Sequence, residues 1–382
     1  MNTKVNYHYS YFIYSYFLKN IEYKEYICKL LNNKNYKLKI FEKEKDLEIY
    51  SFFKNNIKKE YFNSFFINKN NKNILNNKCN IFEYTIKDKK IEKNIENNNL
   101  IYEISKIELI CFNTGICFLI LKTELLNEKL NLNNILNFNY KMKDIFSDFS
   151  KLKSYENIKI KNNILENNLE LNKKLEEIIM CKIKNKRLFT YSYTCVDSEN
   201  WNNEIDKLEN DFLKYVNVYP SNYDMTFEEE NLIMRINNWK FIKIGFTNES
   251  MNLLTNNLEL SNYTKIPYEY ENQYLYNLIL NLYKKELLEN VEKNNIKFKK
   301  LENYKNIYDE IINNEITENN IGMEINNKLN KIFNLNKKSE KIEKMFKGNY
   351  EFKLLKKYKK IGKIILFILL ISLILNIIFI IN

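Results

Sequence analysis

The 382-residue chain has no alanine, one glutamine (Gln273), one histidine (His8), two arginines, two prolines and five glycines. Each shortage excludes something. Five glycines leave little room for phosphate cradles, and neither G-x-x-x-x-G-K-[ST] nor G-x-G-x-x-G occurs. A lone histidine beside the N-terminus supplies no zinc-ligand pattern and is a poor basis for a Ser–His or Cys–His nucleophile. No C-x-x-C joins Cys28, Cys79, Cys111, Cys117, Cys181 and Cys195, so they are expected as reduced, mostly buried thiols. Arginine is the preferred bidentate reader of phosphate and guanine, and only Arg187 and Arg235 are present. A nucleic-acid surface is therefore not expected, despite a net charge of +12.

Asn, Lys, Ile, Leu, Tyr and Phe dominate instead, the set that AT-rich codons encode, which discounts the basic balance further. Hydrophobic residues at 45% and charged residues at 28% fit a chain with a real core.

The strongest pattern is C-terminal. Ile364 to Ile381 reads IILFILLISLILNIIFII, uncharged, with only Ser372 and Asn376 polar. As a helix this run spans about 27 Å, enough for a bilayer's hydrocarbon core. Lys356, Lys357, Lys359, Lys360 and Lys363 precede it, in a basic segment over 353–363 that holds this side in the cytoplasm. The expectation is a single-pass, tail-anchored cell-membrane protein in contact with lipid, its bulk cytoplasmic. In lipid an amide seeks a partner, so Asn376 and Ser372 are candidate helix–helix contacts in a homo-oligomer.

Residues 1–262 are expected as a mixed α/β domain, with a division near residue 90 left open. Leu100–Phe112, a turn at Asn113-Thr114-Gly115, and Ile116–Leu125 predict a hairpin, with glycine supplying the positive φ. Cys117–Leu121 is apolar on both faces, as in a central strand covered on both sides. Tyr7–Leu18 reads as a strand or a helix, and Asn134–Phe149 as a helix. Arg187–Val196 reads as a strand, and a second hairpin turns at Asn237-Asn238. Residues 263–352 are helical in pattern, with stripes at Leu275, Leu278 and Leu282, at Leu301, Tyr304, Tyr308 and Ile311, and at Ile325, Leu329 and Ile332. Such heptad-compatible stripes suit helices packed on the domain, or a self-associating coiled-coil stalk. The fold class is α+β: a mixed domain, long helices, and one transmembrane helix at 364–381.

No catalytic residue stands out. Asp197 and Glu199, just after a strand, are the candidates for a metal such as magnesium, with helix capping before Trp201 as the other role for Asp197 or Ser198. Glu228-Glu229-Glu230 reads as a solvated loop or a helix start.

Three features together resemble CorA-like membrane proteins. They are NTGICFLILKTEL (Asn113–Leu125) followed by LNFNYKMKDIF (Leu136–Phe146), then NQYLYNLILNLYKKELLENVE (Asn272–Glu292), and the order of α/β domain, helices and membrane segment. That resemblance implies Mg2+ as a transported ion, or a nucleotide-triggered membrane effector in phage defence. The family's two membrane helices and Gly-Met-Asn signature have no counterpart: one run is present, and Gly322-Met323-Glu324 lies about forty residues before it. The leading expectation is a non-enzymatic domain that senses an unidentified ligand and is coupled through helices to the membrane. CorA-like transport and a membrane-tethered, metal-dependent enzyme are the alternatives.

Overall fold

In the computed structural model the described residues are 3–18, 23–39, 79–85, 90–95, 98–125, 130–147, 178–180, 187–199, 201, 207–256, 269–293, 320–342 and 344. Their frame is one mixed sheet of eleven strands. In chain order these are β1 (Lys4–Phe17), β2 (Tyr36–Leu38), β3 (Cys79–Tyr84), β4 (Lys90–Ile95), β5 (Asn98–Phe112), β6 (Ile116–Leu125) and β7 (Leu130–Asn131). They continue with β8 (Arg187–Asp197), β9 (Met234–Trp239), β10 (Ile242–Phe246) and β11 (Ser250–Asn256). The order across the sheet is β2-β3-β5-β6-β1-β8-β11-β10-β9, with β4 on β5 and β7 on β1. Only β8 and β11 run parallel; every other pair is antiparallel. Strands from both sides of residue 90 share this sheet.

The helices are α1 (Tyr23–Leu31), α2 (Leu132–Ser147), α3 (Lys207–Asn217), α4 (Phe227–Asn231), α5 (Glu269–Lys293) and α6 (Asn320–Ile332), with a further helical stretch over 335–342. Alternate residues of each strand feed two separate cores. Tyr11, Ile13, Phe118, Ile120, Tyr191 and Ile244 pack with Leu275, Leu278, Leu282, Ile325 and Leu329, so α5 and α6 cover one face. Phe12, Tyr14, Leu109, Cys117, Leu119 and Leu121 pack on the other face with Ile27, Leu136, Phe212 and Val216 of α1, α2 and α3. The result is three layers, helices on both sides of a sheet. The stripes on α5 and α6 are spent against that sheet. Leu301, Tyr304, Tyr308, Ile311, Phe149 and residues 353–381 lie outside the described residues.

Local chemistry accounts for the elements. The β5–β6 hairpin turns through Gly115 at φ +85°, whose N–H donates to the Phe112 carbonyl at 2.9 Å. β6 lies between β5 and β1 and is apolar on both sides because both sides are covered. The aromatic N-terminal stretch is a strand, because β1 finds β6 on one edge and β8 on the other. α2 opens with a reciprocal cap, Asn134 N–H to Asn131 Oδ1 at 2.9 Å and Asn131 N–H to Asn134 Oδ1 at 3.1 Å. Thr226 and Glu229 form a capping box on α4, which places Glu228, Glu229 and Glu230 in a helical first turn.

Two expectations need correction. The β9–β10 turn sits at Lys240-Phe241, with Trp239 opposite Ile242. Ile236 then pairs with Ile244, so Asn237-Asn238 provides a β-bulge within β9 rather than the turn. Trp201 stands in a turn rather than starting a helix, and its indole N–H donates to the Lys240 carbonyl at 2.7 Å. Asp197 ends β8, where its Oδ1 accepts from Asn6 Nδ2 at 3.0 Å; Ser198 is bound to Asn256. Neither caps a helix at Trp201.

Candidate ligand pocket

Among the described residues, polar groups form sealed clusters and also line an open pocket. The first sealed cluster holds the only histidine. His8 Nδ1 is 2.7 Å from Thr194 Oγ1, and its Nε2 is 2.7 Å from Ser10 Oγ and 3.1 Å from Asn139 Oδ1. Ser10 also donates to Asn139 Oδ1 at 2.6 Å, and Thr194 meets the Tyr215 hydroxyl at 2.8 Å. A hydroxyl beside an imidazole is what a nucleophilic site requires. Here Ser10 is 1% exposed and His8 2% exposed, so no substrate reaches either. Burial lowers the His8 pKa to about 3 against the opposing bond to Asn139, which keeps the ring neutral. The cluster ties β1, β8, α2 and α3 together and is a satisfied polar core.

Two further clusters bury single carboxylates under paired cations. Glu108 accepts from Lys106 at 2.6 Å and Lys39 at 3.0 Å. Burial alone would raise its pKa, but the two ammonium groups hold it at about 2. Glu209 meets Arg235 at 2.5 Å and the buried Lys243 at 3.1 Å, with Lys243 Nζ 5.6 Å from the centre of the Trp201 ring. One of the two arginines is thus committed to structure.

The other marks an open pocket of about 440 Å³, within the range of small-molecule sites. It lies where β1 ends, β8 begins and the β10–β11 connection crosses, roofed by the second half of α5. Ile13, Phe118 and Phe189 of the sheet and Leu282 of α5 back it as buried core residues, none more than 5% exposed. Around it stand Ser15, Lys143, Arg187, Glu249, Lys285, Glu286 and Glu289. The walls are tied by ion pairs. Arg187 reaches Glu289 and, at 3.6 Å, Glu286 of α5. Lys338 binds the same Glu289 at 2.9 Å, and Ser15 Oγ donates to Glu286 Oε1 at 3.0 Å. Lys143 of α2 meets Glu249 at 3.1 Å. Burial works against the charge on Glu289, yet Lys338 and Arg187 hold its pKa down to about 2. Lys285 Nζ lies 4.4 Å from the centre of the Phe333 ring. Burial lowers the pKa of Lys285, and Glu289 and Glu286 oppose that only in part.

Of the acidic pair read from the sequence, Asp197 ends β8 and Glu199 lies in the turn after it. Asp197 is half-buried and engaged by Asn6, Glu199 is exposed, and no group of three or more His, Cys, Asp or Glu suited to a metal occurs among the described residues. Lys356, Lys357, Lys359, Lys360, Lys363, Ser372 and Asn376 lie outside them. Among the described residues no helix is long and apolar enough to cross a membrane. Cys79, Cys111, Cys117 and Cys195 are free and buried, and Cys28 is free and exposed.

The sequence singles out Arg187 only by its rarity and leaves the other pocket residues unmarked. The signal available was a rare arginine opening a strand, together with Lys284-Lys285-Glu286 interrupting the apolar stripe of α5. No family model, curated protein or solved structure matches the chain. The pocket's chemistry alone carries its interpretation.

Proposed function

We propose that the chain is a single-pass membrane protein whose α/β/α domain is a non-enzymatic ligand-binding module on the cytoplasmic side. The observation that carries the binding part is the pocket beside Arg187. It is a cavity with ion-paired walls set between the ends of β1 and β8, the β10–β11 connection and α5, and none of its lining residues pairs a nucleophile with a free base. The attachment part rests on the uncharged run 364–381 after its lysines. Residues on α5 contribute both to the pocket and to the core under the sheet, so α5 is the element through which occupancy would act on the C-terminal part of the chain.

Alkaline carbonate extraction tests attachment. The full chain should remain in the membrane pellet and a chain ending at Lys353 should be released. Release of both would refute the anchor. The CorA-like transport alternative rests on the order of elements, and its test is Mg2+ flux in proteoliposomes; flux through the reconstituted protein would favour it over a binding module.

A further inference from the structure

Six large hydrophobic residues stand exposed among the described residues, and four of them gather at one corner. Tyr223, Phe227 and Leu232 lie on α4 and the turns beside it. Tyr140 lies on α2 close to Asn137, whose Oδ1 accepts from the Ser221 N–H at 2.8 Å. Phe227 is 78% and Leu232 77% exposed. α4 buries none of its residues, yet it is firmly built. Its capping box, and the Tyr219 and Tyr223 hydroxyls that donate to Glu229 Oε1 at 2.9 and 3.0 Å, fix a helical turn that belongs to neither core. Apolar residues scattered singly over a surface are ordinary, whereas a set held together at one ordered corner marks a contact.

The corner is also acidic. Residues 219–233 hold Asp224, Glu228, Glu229 and Glu230 and no lysine or arginine. The bases that flank them in the chain are engaged, Lys214 with the Ser221 carbonyl at 2.9 Å and Arg235 with Glu209. Such a surface repels anionic headgroups and suits a basic, apolar partner. The chain carries one. Residues 353–363 read KLLKKYKKIGK, six lysines and no acid, with Leu354, Leu355, Tyr358 and Ile361 recurring among them at three-four spacing.

Position favours the pairing. α4 leads into β9, whose Met234 lies opposite Phe246 at the end of β10. β11 starts beside that end, and its Ser250 pairs with Thr190 near the start of β8. The helical stretch 335–342 lies at the same end of the sheet, since Lys338 meets the Glu289 that holds Arg187, the first residue of β8. From the start of β8 to the start of β9 is three strand spacings, about 14 Å. The nine residues from Lys344 to Lys353 can span up to about 30 Å.

We propose that this corner is the docking site for the segment 353–363 of the same chain. Phe227 and Leu232 meet its apolar residues, and Asp224, Glu228 and Glu230 meet its ammonium groups. The lysines then have two competing destinations, the corner and anionic headgroups, so docking sets how closely the domain is held to the membrane. This goes beyond the reading of the domain as a ligand-binding module and draws nothing from the pocket.

The test places the photocrosslinking residue p-benzoylphenylalanine at position 227, and separately at 232, in the full chain held in a non-ionic detergent. Crosslinked peptides are identified by mass spectrometry. Equal parts of isotopically heavy and light chain are mixed, so a contact within one chain is told from one between copies. The expected crosslink joins either probe to residues 353–363 of its own chain. Glu228→Lys with Glu230→Lys should lower its yield by about fivefold or more, because like charges then meet. The same probe in place of Leu31, exposed where α1 leads toward the opposite edge strand, should give none. Melting curves show that each variant folds. A heavy–light crosslink would assign the corner to a second copy, and crosslinks only to another segment or to detergent would leave 353–363 undocked. A yield unchanged in the folded charge-reversal variant would remove the charge complementarity. Each of these overturns the proposal. Carbonate extraction reports on the anchor independently, so the failure of either reading leaves the other standing.

Discussion

Substituting Gly245 with alanine isolates a single close approach between α3 and the sheet. A Cβ at this position would lie 2.0 Å from Val216 Cγ2 and 2.8 Å from its Cγ1. Carbon atoms rest at about 3.5–4.0 Å, so α3 would have to withdraw by roughly 1.5 Å. It is tied where it stands. Ser250 Oγ donates to the Val216 carbonyl at 2.5 Å and Asn252 Nδ2 to the Tyr215 carbonyl at 2.7 Å, while the Tyr215 hydroxyl holds Thr194. Replacing glycine inside a strand would otherwise stabilise by about 0.5–1 kcal/mol through backbone entropy, so the two effects oppose each other in sign. Overpacking of a fixed core typically costs about 1–3 kcal/mol. With the helix pinned, the upper end should win, and Gly245→Ala should destabilise by about 3 kcal/mol. At about 2 °C per kcal/mol for a large domain, the melting temperature should fall by about 6 °C. Tryptophan fluorescence is a suitable readout, since Trp201 is bonded to Lys240 just ahead of β10.

A double variant separates the steric cost from the backbone effect. Val216→Ala alone removes two buried methyl groups and should cost about 2 kcal/mol, cavity included. Adding Gly245→Ala to it should cost less than it does alone, because both Val216 Cγ contacts are gone, although the remaining Cβ of residue 216, 2.9 Å away, still has to give by a few tenths of an ångström. A coupling of about 1–2 kcal/mol between the two sites is expected. Gly245→Ala within about 0.5 kcal/mol of the unaltered chain, or costs that simply add, would refute the reasoning.

Other perturbations have equally definite outcomes. His8 has a folded pKa of about 3, below the unfolded value of 6.5, so its neutral form stabilises fully above pH 6.5 and loses that contribution as pH falls toward 3. By pH 5 the loss is roughly 2 kcal/mol, and urea unfolding of His8→Asn should show a flatter slope between pH 6.5 and 5. Glu108→Gln leaves Lys39 and Lys106 sharing a site without their carboxylate; a loss of about 2–3 kcal/mol is expected in urea melts, and a neutral result would remove the ion cluster from the account. In the unaltered chain the contribution of Glu108 is present above the ordinary carboxylate value and is lost as pH falls toward 2. Asn376→Leu should lower the mass of the detergent-solubilised particle measured by light scattering; an unchanged mass would mean the amide joins no helices.

The pieces legible in the sequence were those governed by neighbours along the chain. Gly115 announces the β5–β6 hairpin because only glycine takes that φ cheaply, and three-four spacing announces α2 because its period is local. The double-sided apolar run of β6 even foretold its central place. Asn237-Asn238 misled because a turn signal and a bulge signal use the same residues, and the register against β10 decides between them. Asp197 could be named from the sequence, but the side chain it meets, Asn6 at 191 positions' remove, was set by β1 lying beside β8.

Composition by itself excluded phosphate loops and zinc patterns, and it supplied the long apolar run and the alternation that builds a sheet with two buried faces. The sheet order, the parallel pairing of β8 with β11, the closing of His8 into a sealed core and the meeting of Ser15, Lys143, Arg187 and Lys285 around one cavity were decided only by tertiary structure. The reason is physical. Strand propensity and glycine conformation are properties of a few adjacent residues. Burial, ion pairing and a lowered pKa belong to groups up to about 270 positions apart in the chain, and they exist only once the sheet has brought those groups together.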